Sequence, residues 1–228
     1  MTNITFENIP KIGSGIYTTA DVAWILGVTY PKAHRWITKY WDGDLGKEFE
    51  QQYSWQTEDS RAVSFHTVVE FYVMIQLSEK GVKTKEILKA HRELSHIYRT
   101  AFPFAMKEVL EELQTDGKVV YWKKGEHIVS LNGSQQFNLS FINLFFKKLE
   151  FDGDNMVSRL WPMGKDNSIV IDPERKFGHP IIVGRNIYPE TIFNHYKAGD
   201  PPSYIAHIYK ITEKEVADAI TFCKRAAW

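Results

Sequence analysis

Residues 17–41 constrain the fold more than any other stretch of this 228-residue chain. Thr18 or Thr19 can cap a helix, Asp21 sits in its first turn, and Val22, Trp24, Ile25 and Leu26 supply apolar positions. Gly27 stops that helix, because glycine enters the left-handed conformation at a helix end cheaply. Val28 follows as a buried turn residue, Thr29 can cap again, and Pro31 suits the first turn of a second helix. That helix is predicted to run to about Tyr40, with Ala33, Trp36 and Ile37 inward and Lys32, Arg35 and Lys39 outward. Two helices around a glycine turn, the second with a basic outer face, make a helix-turn-helix.

Residues 42–64 are polar and turn-rich, and Ala62–Phe65 can form a short strand near Arg61, where a winged reader places its wing. From His66 to Ser78 apolar residues recur at helical spacing. Gly81 breaks the pattern, Thr84 caps a further helix, and another is expected from Pro103 to Leu113. Asp116-Gly117 turns into Lys118–Trp122, Lys124-Gly125 turns again, and Glu126–Leu131 returns to make a β-hairpin. Residues 137–149 are apolar all round, which places them in a core or an oligomer interface and makes them a candidate dimer surface. Val157–Trp161 reads as a strand, and Pro162, Gly164 and Asp166 mark a connection. The expected division is 1–100 for a winged helix-turn-helix, 101–165 for a connecting or dimerisation region, and 166–228 for a C-terminal domain. The fold class is α+β, mainly α.

Near the end a second helix, short turn and helix occupies 203–222, with Thr212 capping its second helix. The two pairs differ in sign. The first exposes Lys32, Arg35 and Lys39 and no acid, whereas the second carries Glu213, Glu215 and Asp218 against Lys214. Carboxylates facing phosphates repel, while cations gain from counterion release. The N-terminal pair is therefore the expected reader of DNA, and the C-terminal pair the expected site of protein contact or a structural unit. The competing interpretation is that both are plain packing units with solvated faces.

Overall charge offers no help, since 28 basic residues balance 28 acidic ones. That excludes attachment to nucleic acid by bulk charge but not by a local patch. Eight scattered histidines form no metal-hydrolase pair, and no phosphate-binding glycine pattern occurs, so no enzyme, metal site or cofactor is expected. The single cysteine, Cys223, excludes an internal disulfide and suits a small buried hydrophobe. No apolar run approaches the ~20 residues of a membrane span, and the expectation is a cytoplasmic protein with no membrane contact.

Two stretches resemble known families. Tyr17-Thr18-Thr19-Ala20-Asp21-Val22-Ala23, Gly27-Val28-Thr29, His34-Arg35-Trp36, Arg61–Phe65 and Gly81-Val82 with Lys85-Glu86-Ile87 resemble the MerR-like winged reader. Ile169–Pro173, Phe177-Gly178-His179-Pro180-Ile181-Ile182, Gly184, Ile187, Ile211-Thr212 and Val216–Ala219 resemble a domain-of-unknown-function family. This order is similar to a subgroup of VapB-type antitoxins. The resemblance implies a type II antitoxin that silences a PIN-domain ribonuclease toxin and represses its own operon by binding operator DNA as a homodimer. Carried over by position, Thr29, Tyr30, Lys32, Arg35 and Lys39 would face DNA, with Arg61 on or near the wing. Against a carboxylate-rich PIN active site, the loop-borne Arg175 or Arg185 could reach in with charge-assisted hydrogen bonds. The rival expectation is a stand-alone MerR-like regulator with a small-molecule or protein sensor, placed within 103–165. Small VapB-type antitoxins often use a short disordered tail on the toxin; this chain's folded-looking C-terminal segment departs from that pattern.

Overall fold

The computed structural model describes residues 13–115, 120–124, 127–130, 145–153 and 155–225. The fold is mixed and mainly helical, with small antiparallel sheets. Strand β1 (Tyr17–Thr18) leads into helix α1 (Thr19–Leu26). Thr18 and Asp21 cap that helix reciprocally: the Asp21 carboxylate accepts the Thr18 N–H at 2.8 Å, and the Thr18 hydroxyl accepts the Asp21 N–H at 3.2 Å. Gly27 ends it at φ 64°, with the Val28 N–H returning to Ala23 O at 2.9 Å.

Helix α2 (Tyr30–Arg35) does not stop near Tyr40. It continues as a wide π-helix, Trp36–Leu45, and then as α3 (Gly46–Phe49). The reason is the placement of the apolar anchors. Trp36 and Trp41 are both buried but five residues apart, and an i→i+5 hydrogen-bond repeat brings such positions to one side better than an α-turn does. Asp42 then joins this helix to the sheet. Its carboxylate accepts the N–H groups of Tyr53 and Ser54 at 2.8 and 3.0 Å, and pairs with Arg61 at 3.2 Å. The sheet has the order β1-β3-β2, with β2 at Ser54–Gln56 and β3 at Arg61–Val63. Phe65, expected to end the strand, instead opens α4 (Phe65–Glu79).

Helix α4 lies almost wholly inside, and α5 (Thr84–Tyr98) packs on it through Ile87, Leu88, Ala90, His91 and Leu94. Between them sits a buried carboxyl–imidazole contact. Glu70 and His91 have no exposed side-chain surface and meet at 2.6 Å, and Glu70 also accepts the Phe104 N–H at 2.9 Å. Burial holds the Glu70 carboxyl above its ordinary range, against the pull of His91. After a 3-10 turn at Pro103–Ala105 come α6 (Lys107–Glu112) and a three-stranded sheet, β4 (Leu113–Thr115), β5 (Val120–Lys124) and β6 (His127–Ser130). The expected hairpin is thus β5–β6, with a third strand added. The hairpin β7–β8 follows (Leu149–Phe151 and Val157–Leu160).

The apolar stretch proposed as a dimer surface lies largely outside the described residues, at 137–144. Of its remainder, Phe145 and Leu149 are fully buried within this chain's own core, so those two positions are not available to a second copy.

The buried apolar residues form two clusters. The first runs from Tyr17 to Leu160 and adds Ile171, so Phe104, Leu110 and Leu160 share a core with α1 and α2. The second begins at Ile169 and is built on the pair β9–β10 (Ile169–Val170 and Ile181–Ile182) with α7 (Pro189–Lys197), α8 (Pro202–Tyr209) and α9 (Glu213–Arg225). Trp24 packs against both. Its ring stacks at a tilt on His179 and Phe222, at 5.5 and 4.9 Å between centroids. Beside it, Arg225 donates to Ile25 O at 2.6 Å and to Pro162 O at 3.3 Å. The last helix therefore clasps the end of the first.

Candidate nucleic-acid interface and partner-facing loop

The cations of α2 and of the π-helix that continues it are open. Lys32, Arg35 and Lys39 are exposed, as are Thr29, Tyr30 and His34, while Ala33, Trp36 and Ile37 are buried. This division follows from the sequence, because helical spacing puts the small and aromatic residues on one side and the cations on the other. Two of the cations are steered by rings: Lys32 lies 5.2 Å from the Trp36 ring centroid, and Lys39 lies 5.9 Å from that of Tyr40. Tyr30 stacks on His34 with the planes 21° apart, so the first turn presents a tyrosine to solvent.

The hairpin beside this helix is of a different character. Arg61 is tied inward: its Nε donates to Ser54 Oγ at 2.7 Å and its Nη2 pairs with Asp42. The tip is a tight turn closed by the Thr57 N–H on Ser60 O at 2.8 Å, and it carries exposed Glu58 and Asp59. An acidic tip repels phosphate. Sequence reasoning placed Arg61 on or near the wing, just before the strand it in fact opens, but missed Asp42, whose burial behind Tyr53 and Ser54 is a tertiary fact. Of the sequence-predicted set, Thr29, Tyr30, Lys32, Arg35 and Lys39 are each exposed, from the N-cap of α2 into the π-helical turn after it, and Arg61 is engaged elsewhere.

The other sequence-predicted positions lie on loops around β10. Arg175 has a half-exposed side chain that reaches Asp172 at 3.6 Å. Asp172 itself is buried and is also held by Arg159 at 2.9 Å. Arg185 is exposed in the turn after β10, whose chain is closed by the Arg185 N–H on Ile182 O at 2.9 Å. The two arginines flank opposite ends of a two-residue strand, and no contact unites them.

Between Arg175 and β10 the chain makes an unusual turn for which Gly178 is the one clear local signal. Lys176, Phe177 and Gly178 are all left-handed, at φ 49°, 56° and 85°. For the two non-glycine residues this costs roughly 1–2 kcal/mol each. Gly178 is obligatory for a second reason, since a Cβ there would collide with the buried Tyr17 hydroxyl. Phe177 ends up 72% exposed, the most exposed large apolar side chain of the described residues. The turn is nonetheless fixed: the Ile16 N–H donates to Phe177 O at 3.2 Å, and the His179 N–H to Lys176 O at 3.0 Å. His179 is in turn held by Glu190 at 2.6 Å.

Residues 169–223 match the family model described as "Protein of unknown function (DUF433)". The chain is 24% identical over 171 residues to the "Putative antitoxin VapB45" of Mycobacterium tuberculosis, a match that covers 68% of this chain and 69% of the relative. It is similar, then, to an antitoxin. The crystal structure of Rv2018 from Mycobacterium tuberculosis has the same fold, with a TM-score of 0.66 at 17% identity, covering 94% of this chain and all of that one. Among the described residues no helix is long and apolar enough to cross a membrane. Cys223 is buried between α7 and α9, and loss of solvent pushes its thiol up to about 12.

Proposed function

We propose that this chain is the antitoxin of a type II toxin-antitoxin system, that it binds and neutralises a PIN-domain ribonuclease, and that it represses its own operon. The observation that carries the DNA half is the exposed row Lys32, Arg35 and Lys39, free of carboxylates, on a helix held at a fixed angle by the capped α1 and Gly27. Antitoxin similarity over two thirds of the chain supports the other half. Elements β1–α5 act as a MerR-like winged helix-turn-helix in which the recognition helix is α2. Thr29, Tyr30, Lys32, Arg35 and Lys39 meet the operator, with Arg61 bracing the helix through Asp42. A homodimer matches a palindromic site. Arg175 and Arg185 face the toxin. The chain performs no catalysis and acts in the cytoplasm.

Co-expression with the product of the adjacent gene tests this directly. Co-purification, with the neighbour toxic when expressed alone, is the expected result. A neighbour that is harmless and does not bind removes the antitoxin reading.

One observation favours a second reading, a regulator that senses a small molecule. A cavity of about 380 Å³ lies between β7–β8 and the Asp172 turn, lined by Glu150, Arg159, Asp172 and Met156 among others. Under that reading operator affinity changes with an effector, and no toxin is encoded next door.

A further inference from the structure

Phe177 combines three properties that seldom coincide in a side chain without a partner. It is apolar and 72% exposed, it sits in a left-handed backbone (φ 56°), and that backbone is pinned on both sides by main-chain hydrogen bonds to Ile16 and within the turn. A floppy loop would let the ring fold back, but here Gly178 is wedged over Tyr17 and Pro180 is buried, so the ring is presented outward as part of a rigid corner. Such pre-organisation lowers the entropy cost of docking. Behind the ring a cleft of about 260 Å³ opens, with Ile16, Ile25, Pro180 and Tyr188 on its apolar side and Asp21 and His179 on its polar side, so a partner's side chain has a seat beside the protruding ring. The corner is also cationic. Arg175 and Lys176 directly precede Phe177 and are exposed; the nearby carboxylates are Glu174, Glu190, which holds His179, and Asp21 in the cleft.

We propose that Phe177 is the aromatic anchor with which this chain docks on its protein partner, entering an apolar socket whose rim carries carboxylates that meet Arg175 and Lys176. The proposal rests on the antitoxin reading for the identity of that partner, the adjacent-gene toxin. It goes beyond that reading in assigning the leading role to an aromatic knob, with the arginine serving the rim. Aromatic anchors of this kind dominate interface energetics, while rim charges act mainly on association rate.

Titration calorimetry of the full-length chain with the purified product of the adjacent gene provides the test. F177A is expected to bind about 30-fold more weakly or worse, with its thermal midpoint and operator binding unchanged. F177N, which the left-handed backbone tolerates, is expected to lose as much, so that a rearranged turn cannot account for the result. R175Q/K176Q is expected to associate about tenfold more slowly at low salt, with its salt dependence flattened. If F177A and F177N bind within about twofold of the wild type, the anchor is overturned while the antitoxin reading stands. If the wild-type chain forms no complex, both fall together. If Phe177 substitution instead dissolves a dimer of this chain and leaves toxin binding intact, the occupant is a second copy and the proposal is overturned.

Discussion

The chain builds a helix, a left-handed turn and a helix twice, and the two copies differ in everything but shape. In the first, α1 ends at Gly27, and α2 with the π-helix that continues it turns three cations outward; in the second, α8 ends at Lys210, also left-handed at φ 52°, and α9 opens with Glu213 and Glu215. Each has a reciprocal cap, Thr18 with Asp21 and Thr212 with Glu215. Local grammar thus specifies the supersecondary form, while the exposed charges and the core behind it specify use. The first pair rests on a core that contains a buried polar pair, Glu70 with His91. The second rests on aliphatic residues, Phe222 and Cys223.

The largest effect expected from that contrast is on stability. E70A leaves the His91 ring and the Phe104 N–H without their acceptor inside the first core, at a cost of about 3–5 kcal/mol. A denaturant titration gives the loss. Hydrogen exchange gives its location, with α4 and α5 opening before α7–α9. Simultaneous loss of protection throughout would show that the two cores unfold as one and break the distinction. Replacing both partners by leucine restores most of the stability, because no buried polar group is then left without its partner.

Next in size is the effect on DNA. R35A is expected to weaken operator binding by about tenfold and to reduce the salt slope by about one, as loss of one phosphate contact does. K214A on α9 is expected to change neither. Fluorescence anisotropy across a salt series distinguishes the two, and an equal effect from K214A would end the assignment of reading to the first pair alone.

Smaller again is the effect of the turns themselves. G27A forces an alanine into φ 64° and costs about 1 kcal/mol or more, whereas K210G removes a comparable penalty and stabilises by about 0.5–1 kcal/mol. Opposite shifts in melting temperature are expected from what are formally reciprocal changes. A destabilising K210G would mean that contacts of the Lys210 side chain, rather than backbone conformation, decide that turn.

These contrasts also show what can be read from sequence. The caps, the glycine turn, the inward Ala33, Trp36 and Ile37 and the outward cations follow from spacing that a helix imposes within one or two turns. What was not legible needed distant partners. The helix after Arg35 runs on to Phe49 because Trp41 and Leu45 find the first core. Arg61 is bound by a carboxylate nineteen residues earlier in the chain. Phe177 reads as one more apolar residue before Gly178-His179-Pro180; only the packing of Gly178 on Tyr17, far away in sequence, turns it outward. Trp24 is one of the apolar positions that helical spacing marks on α1, and it does pack inward, but it joins two clusters rather than filling one.

The smallest expected effect is a pH slope, and it belongs to the first core alone. His66 lies between the rings of Phe65 and Phe102, and burial holds its imidazole below the ordinary value of 6.5, against weaker opposing contributions from Val157 O and Asp152. The unfolded chain therefore binds a proton below about pH 6.5 that the folded chain resists, so stability is retained above that pH and lost as the pH falls through the window beneath it. Other groups also titrate on acidification, and the informative quantity is the difference between the wild type and H66Q. That difference should be constant from pH 8 to about 6.5 and then shift in favour of H66Q as the solution is acidified. Denaturant midpoints at half-unit intervals resolve it. A difference that stays flat to pH 5 would mean that His66 accepts its proton without opening the α4 region, and the first core would then have only the Glu70–His91 pair to set it apart in its response to acid.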